Sequence, residues 1–64
     1  MKILTKEQLA NRLYEYYVEH YGECDTDEWF EQPANNVWLF KRDGKYISLK
    51  SHIITGKVTE TVED

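Results

Sequence analysis

His20 and Cys24 stand four residues apart, and His52 is a third soft donor farther along the chain. With Asp25 or Asp27 they would fill the four-ligand shell that a tetrahedral zinc ion draws from Cys, His and carboxylate. The same residues also spell a Cys-His-Asp set for nucleophilic chemistry. Both readings meet physical objections. Gly22 lies between His20 and Cys24 and should end the helix that would bring positions i and i+4 together. Acyl-transfer chemistry also needs oxyanion donors and a pocket, which a chain of 64 residues seldom builds. His20 is better explained as a cation at the negative end of a helix, and Cys24 as a small, semi-buried side chain.

The acidic run "DTDEWFE" (residues 25–31) invites comparison with a calcium loop. That loop needs Gly at its sixth position and Glu at its twelfth. Counted from Asp25, those places hold Phe30 and Asn36. Gly22, Gly44 and Gly56 each have a cap or turn to serve, which leaves no phosphate-cradling loop. The expectation is a chain that is not an enzyme, with no catalytic residue, no metal site and no cofactor.

The elements that position these residues begin at "LTKEQL". Thr5 and Gln8 have capping-box spacing, and Leu4 and Leu9 stand where a hydrophobic staple would. At about 100° per residue, Leu9, Ala10, Leu13, Tyr14, Tyr16, Tyr17, Val18, His20 and Tyr21 fill one broad sector. The spacing predicts an amphipathic helix over residues 5–21, closed by Gly22. Asp25 or Thr26 could cap a short helix over 26–32, with Asp27 and Glu28 in its first turn and Pro33 limiting its end.

"VWLFKRDGKYISLK" reads as two strands about Asp43-Gly44. A two-residue type I′ turn would group Trp38, Phe40, Ile47 and Leu49. A three-residue turn with a bulge at Gly44 would group Val37, Leu39, Ile47 and Leu49 instead. The sequence leaves both registers open. Strands are expected at about 36–42, 45–53 and 57–62, with a second turn at Thr55-Gly56. The fold class is α+β: one long N-terminal amphipathic helix packed on a three-stranded antiparallel meander, in a single small domain.

"LTKEQLANRL" resembles the opening helix of helix-turn-helix and excisionase-type domains, with "FKRDGKYI" as a basic wing. The resemblance stops after Leu13, where such a motif turns and this chain continues "YEYYVEHY". A second helix at "DTDEWFEQ" would also present carboxylates to phosphate.

Charge is distributed unevenly. Met1–Asn36 holds three basic and eight acidic residues, whereas Val37–Lys57 holds five basic and one acidic. The net charge of −4 argues against a protein that coats nucleic acid or anionic membrane. The N-terminus shows no leader or membrane span, and one cysteine suits a reducing compartment, so a cytoplasmic location is expected.

Half-exposed Tyr and Trp among carboxylates match the composition of an interface, although a short chain also struggles to hide nine aromatic rings. Glu15, Tyr16, Glu19, Glu23, Asp25, Asp27, Glu28, Trp29 and Glu31 form the expected acidic, aromatic face. Its partner would be a protein with a basic surface. The reading is a small protein-binding module, an inhibitor that occupies a basic nucleic-acid-binding surface by imitating phosphates. Accessory genes of mobile elements are a natural source of such chains. The alternatives are nucleic-acid association through Lys41, Arg42, Lys45 and Lys50, and a homodimeric structural protein built on exposed aromatics or a strand edge.

Overall fold

A computed structural model of the chain describes residues 2–22 and 27–63. Thr5 starts the helix as expected. Its Oγ1 accepts from the Gln8 N–H at 3.2 Å, and Gln8 Oε1 accepts from the Thr5 N–H at 2.9 Å, so two otherwise orphaned donors are satisfied reciprocally. The helix α1 runs Lys6–Tyr21 and ends at Gly22, whose φ of 77° is a conformation that favours glycine. Leu9, Leu13 and Tyr17, spaced four apart, are its buried residues.

Among the described residues four strands follow: β1 (Trp29–Ala34), β2 (Val37–Arg42), β3 (Lys45–Ser51) and β4 (Val58–Glu63). They form one antiparallel sheet in the order β1-β2-β3-β4. The α+β class holds, but the sheet has four strands rather than three.

The extra strand corrects the expected short helix at 26–32. The described part of that segment holds no helix, and Trp29–Ala34 is a strand that pairs with β2. Period-two geometry explains why. Trp29 and Phe30 are adjacent, and a helix would set their rings about 100° apart so that one packing face could not hold both, whereas a strand sends them to opposite faces. Phe30 meets Trp38 edge-on at 5.4 Å, and Trp29 meets Tyr46 at 6.1 Å on the other side. Pro33 is tolerated because β1 is an edge strand, and the register shifts between Glu31 and Ala34. The expected capping positions Asp25 and Thr26 lie outside the described residues.

The central hairpin takes the two-residue register. Asp43 and Gly44 have φ of 55° and 78°, as a type I′ turn requires, and Arg42 pairs with Lys45. Trp38, Phe40, Ile47 and Leu49 therefore share the face beneath α1. Phe40, Ile47 and Leu49 join Leu13 and Tyr17 in the core, with Tyr16, Tyr21, Trp38 and Val58 packed around them. The rings of Tyr17 and Tyr21 both meet Phe40 edge-on, at 5.0 and 5.2 Å.

Between β3 and β4, His52 organises the turn. Its Nδ1 accepts from the N–H groups of Ile54 and Thr55, each at 3.2 Å, and its carbonyl accepts from Gly56 N–H at 2.9 Å. Leu4 N–H donates to Ile53 O at 2.8 Å, which ties the chain ahead of α1 to this turn.

Candidate functional site

The expected acidic face is divided by the fold into parts with different work. Asp27 accepts from Arg42 Nε at 3.0 Å through Oδ1, which also lies 2.8 Å from Nη2. Its other oxygen accepts from the Tyr17 hydroxyl. Arg42 also donates through Nη1 to the Tyr21 carbonyl at 2.7 Å and through Nη2 to the Tyr17 hydroxyl at 2.7 Å. The guanidinium thus caps the C-terminal end of α1, where the helix dipole favours a cation. Asp27 and Arg42 form a partly buried clamp between helix and sheet rather than an outward-facing charge.

Glu15 and Glu19 stay on the exposed side of α1. Beside them along the helix run Tyr14 and Val18, 60% and 44% exposed, with Glu7 about two turns before Tyr14. Tyr16 is half-buried and stacks on His20 at 4.1 Å between ring centroids. Glu28 is exposed and lies 3.7 Å from Lys41 Nζ. Glu23 and Asp25 lie outside the described residues.

Trp29 and Glu31 belong to the sheet face opposite α1. Cross-strand pairing lines up Trp29, Lys41, Tyr46 and Glu63 in one row, and Glu31, Leu39, Ser48 and Thr61 in the next. Lys41 Nζ sits 5.2 Å from the centre of the Tyr46 ring. A shallow depression beside this row is lined by Trp29, Leu39, Tyr46 and Thr61. The basic hairpin is likewise split: Lys41 and Lys50 lie on this open face, whereas Arg42 turns toward α1.

Two phenols hold their protons more tightly than free tyrosine. Burial raises Tyr21 well above its ordinary value, helped by its hydrogen bond to Glu60 and that carboxylate's charge. Tyr16 is also raised, by desolvation first and then by Glu60 and Glu19. Glu19 of α1 and Glu60 of β4 therefore converge on one phenol, where the acidic helix face borders the outer strand.

His20 stacks on Tyr16, His52 serves its turn, and Cys24 lies outside the described residues. Among the described residues no three His, Cys, Asp or Glu side chains are placed to hold a metal ion, and no helix is long and apolar enough to cross a membrane. Comparison with protein-family models, with curated proteins and with solved structures returns no significant match.

Proposed function

We propose that the chain is a small acidic protein-binding module, without catalytic activity, whose partner presents a basic surface. The observation that carries this reading is the ridge of α1, where the exposed Tyr14 and Val18 lie among Glu7, Glu15 and Glu19. Rings with an apolar body and a polar tip make good anchors. Carboxylates around them steer a basic partner and reject acidic ones. In its sharper form the module is an inhibitor: a row of carboxylates takes the place of phosphates on a nucleic-acid-binding protein.

The test is capture of the partner by the wild-type chain, by Tyr14→Ala and by the double variant Glu15→Arg/Glu19→Arg, with nucleic acid as competitor. The reading expects both variants to lose the partner and nucleic acid to displace the wild type. Unchanged capture by the charge-reversed chain overturns it.

A second reading is favoured by the open sheet face. Trp29 and Tyr46 meet edge-on there, with Lys41 over the Tyr46 ring and Lys50 on the same face. Aromatic rings beside lysines are what single-stranded nucleic acid stacks on.

A further inference from the structure

We infer that the free edge of β4 is a strand-addition site for an extended, basic segment of a partner protein. The hydrogen-bond phase of the sheet carries the argument. The two-residue turn makes Arg42 and Lys45 a hydrogen-bonded pair, and alternation then points the N–H and C=O of Tyr46, Ser48 and Lys50 toward β4. Bonds of Ser51 N–H to Asn36 O (2.9 Å) and of His52 N–H to Lys57 O (2.8 Å) keep the same phase. On β4 the groups of Thr59, Thr61 and Glu63 are therefore used, while those of Val58, Glu60 and Val62 face away from the sheet.

The two edges of the sheet are guarded differently. On β1, Pro33 and the register shift between Glu31 and Ala34 interrupt the outer ladder. Both are common means of blocking edge-to-edge pairing. On β4 the register with β3 runs without a break from Val58 to Glu63, and "VTETVE" contains no Pro, Gly, Lys or Arg. Its β-branched residues suit an extended chain.

Charge selects the occupant. Pairing β4 with a second β4 so that residues 58, 60 and 62 bond to one another sets Glu60 directly opposite Glu60, and like charges so placed are unfavourable. A strand bearing Lys or Arg at alternate positions on the helix side would instead place cations beside Glu60, with Glu19 of α1 close by. Val62, 46% exposed and on the same side of the sheet as Glu60, provides an apolar contact for the alkyl stems of those cations. Backbone bonds would supply affinity and the alternate side chains specificity. The inference rests on the proposed basic partner and adds how that partner is held.

The probe is a short synthetic peptide of alternating Lys and Val. Its controls are a Glu/Val peptide and a Lys/Val peptide interrupted by proline. Binding is read by anisotropy, and amide exchange at Val58, Glu60 and Val62 by NMR. The Lys/Val peptide should slow exchange at those three amides, and neither control should bind. Val62→Pro removes one outward N–H while leaving the β3 ladder intact, and should weaken binding about tenfold. Equal binding of the Glu/Val peptide, or binding without protection of those amides in the wild-type chain, overturns the inference. So does slow exchange there without peptide that depends on protein concentration, which would mean a β4-paired dimer. If the peptide fails while Glu15→Arg/Glu19→Arg still abolishes partner capture, strand addition falls and the helix-face reading stands.

Discussion

Asp27 and Arg42 meet at 2.8 Å where three elements converge: the end of α1, the approach to β1, and the last residue of β2. Their side chains are 6% and 11% exposed, so solvent screens the pair weakly. The Tyr17 hydroxyl donates to Asp27 and accepts from Arg42, and the Tyr21 carbonyl accepts from Arg42. A residue that composition assigns to an acidic recognition face is a fastener instead.

Removing one member of the clamp strands the other. Arg42→Met keeps much of the side-chain volume but leaves Asp27 charged and nearly enclosed. Breaking a buried ion pair from one side costs about 3 kcal/mol, a large share of what so small a domain has. Thermal melts should show Arg42→Met strongly destabilised, and Lys41→Met, which loses exposed contacts to Glu28 and to the Tyr46 ring, close to wild type.

The glycines of the two tight turns should respond unequally. At Gly44 an added Cβ meets nothing within 4 Å, so Gly44→Ala carries only the left-handed backbone penalty of roughly 1 kcal/mol. At Gly56, also at positive φ, the new Cβ would stand 3.1 Å from Leu4 Cδ1 and from Arg12 Nε. That contact presses on the segment ahead of α1, so Gly56→Ala should cost more, roughly 2 kcal/mol. Chemical denaturation of both variants measures the difference.

Local chemistry made part of this fold legible. Thr5, Gln8 and Gly22 mark α1 because caps are determined by neighbours in sequence, and Asp43-Gly44 marks the hairpin because only certain residues accept its dihedrals. The hairpin register was not legible, since Trp38 and Val37 are equally apolar and only packing beneath α1 selects between them. The strand at Trp29–Ala34 was hidden for a related reason. Its acidic flank and Pro33 read locally as helix signals, and its partner, β2, is the other half of a pairing that no local pattern displays. The acidic face was legible as composition but not as a surface. Asp27 turns inward to Arg42, and Trp29 and Glu31 turn to the face away from α1. The outer edge of β4 needed the hydrogen-bond phase of the whole sheet.

Tyr21 gives a pH signature. Burial and the bond to Glu60 raise its proton affinity in the folded chain above the ordinary value of 10.0. The stabilisation is fully present below pH 10.0. As pH rises past that value, the unfolded chain releases the proton while the folded chain retains it, so stability falls. Tyr21→Phe lacks this component. The stability difference between wild type and Tyr21→Phe should therefore shrink as pH rises through the tyrosine range, which melts at stepped alkaline pH would record.

Trp29 reports on the face opposite α1 and separates the two functional readings. The chain has two tryptophans, and Trp38→Phe leaves Trp29 as the sole indole. That exchange also removes a buried indole N–H that has no hydrogen-bond partner among the described residues, so the fold should tolerate it. Trp29 stands in a row with Lys41 and Tyr46, and a base stacked there would quench its emission. The protein-binding reading expects oligothymidine to leave that emission unchanged at low ionic strength. A saturable quench that weakens steeply with salt and disappears in Lys50→Glu would move the function to the open sheet face, because phosphate contacts carry that salt dependence and the ridge of α1 offers none.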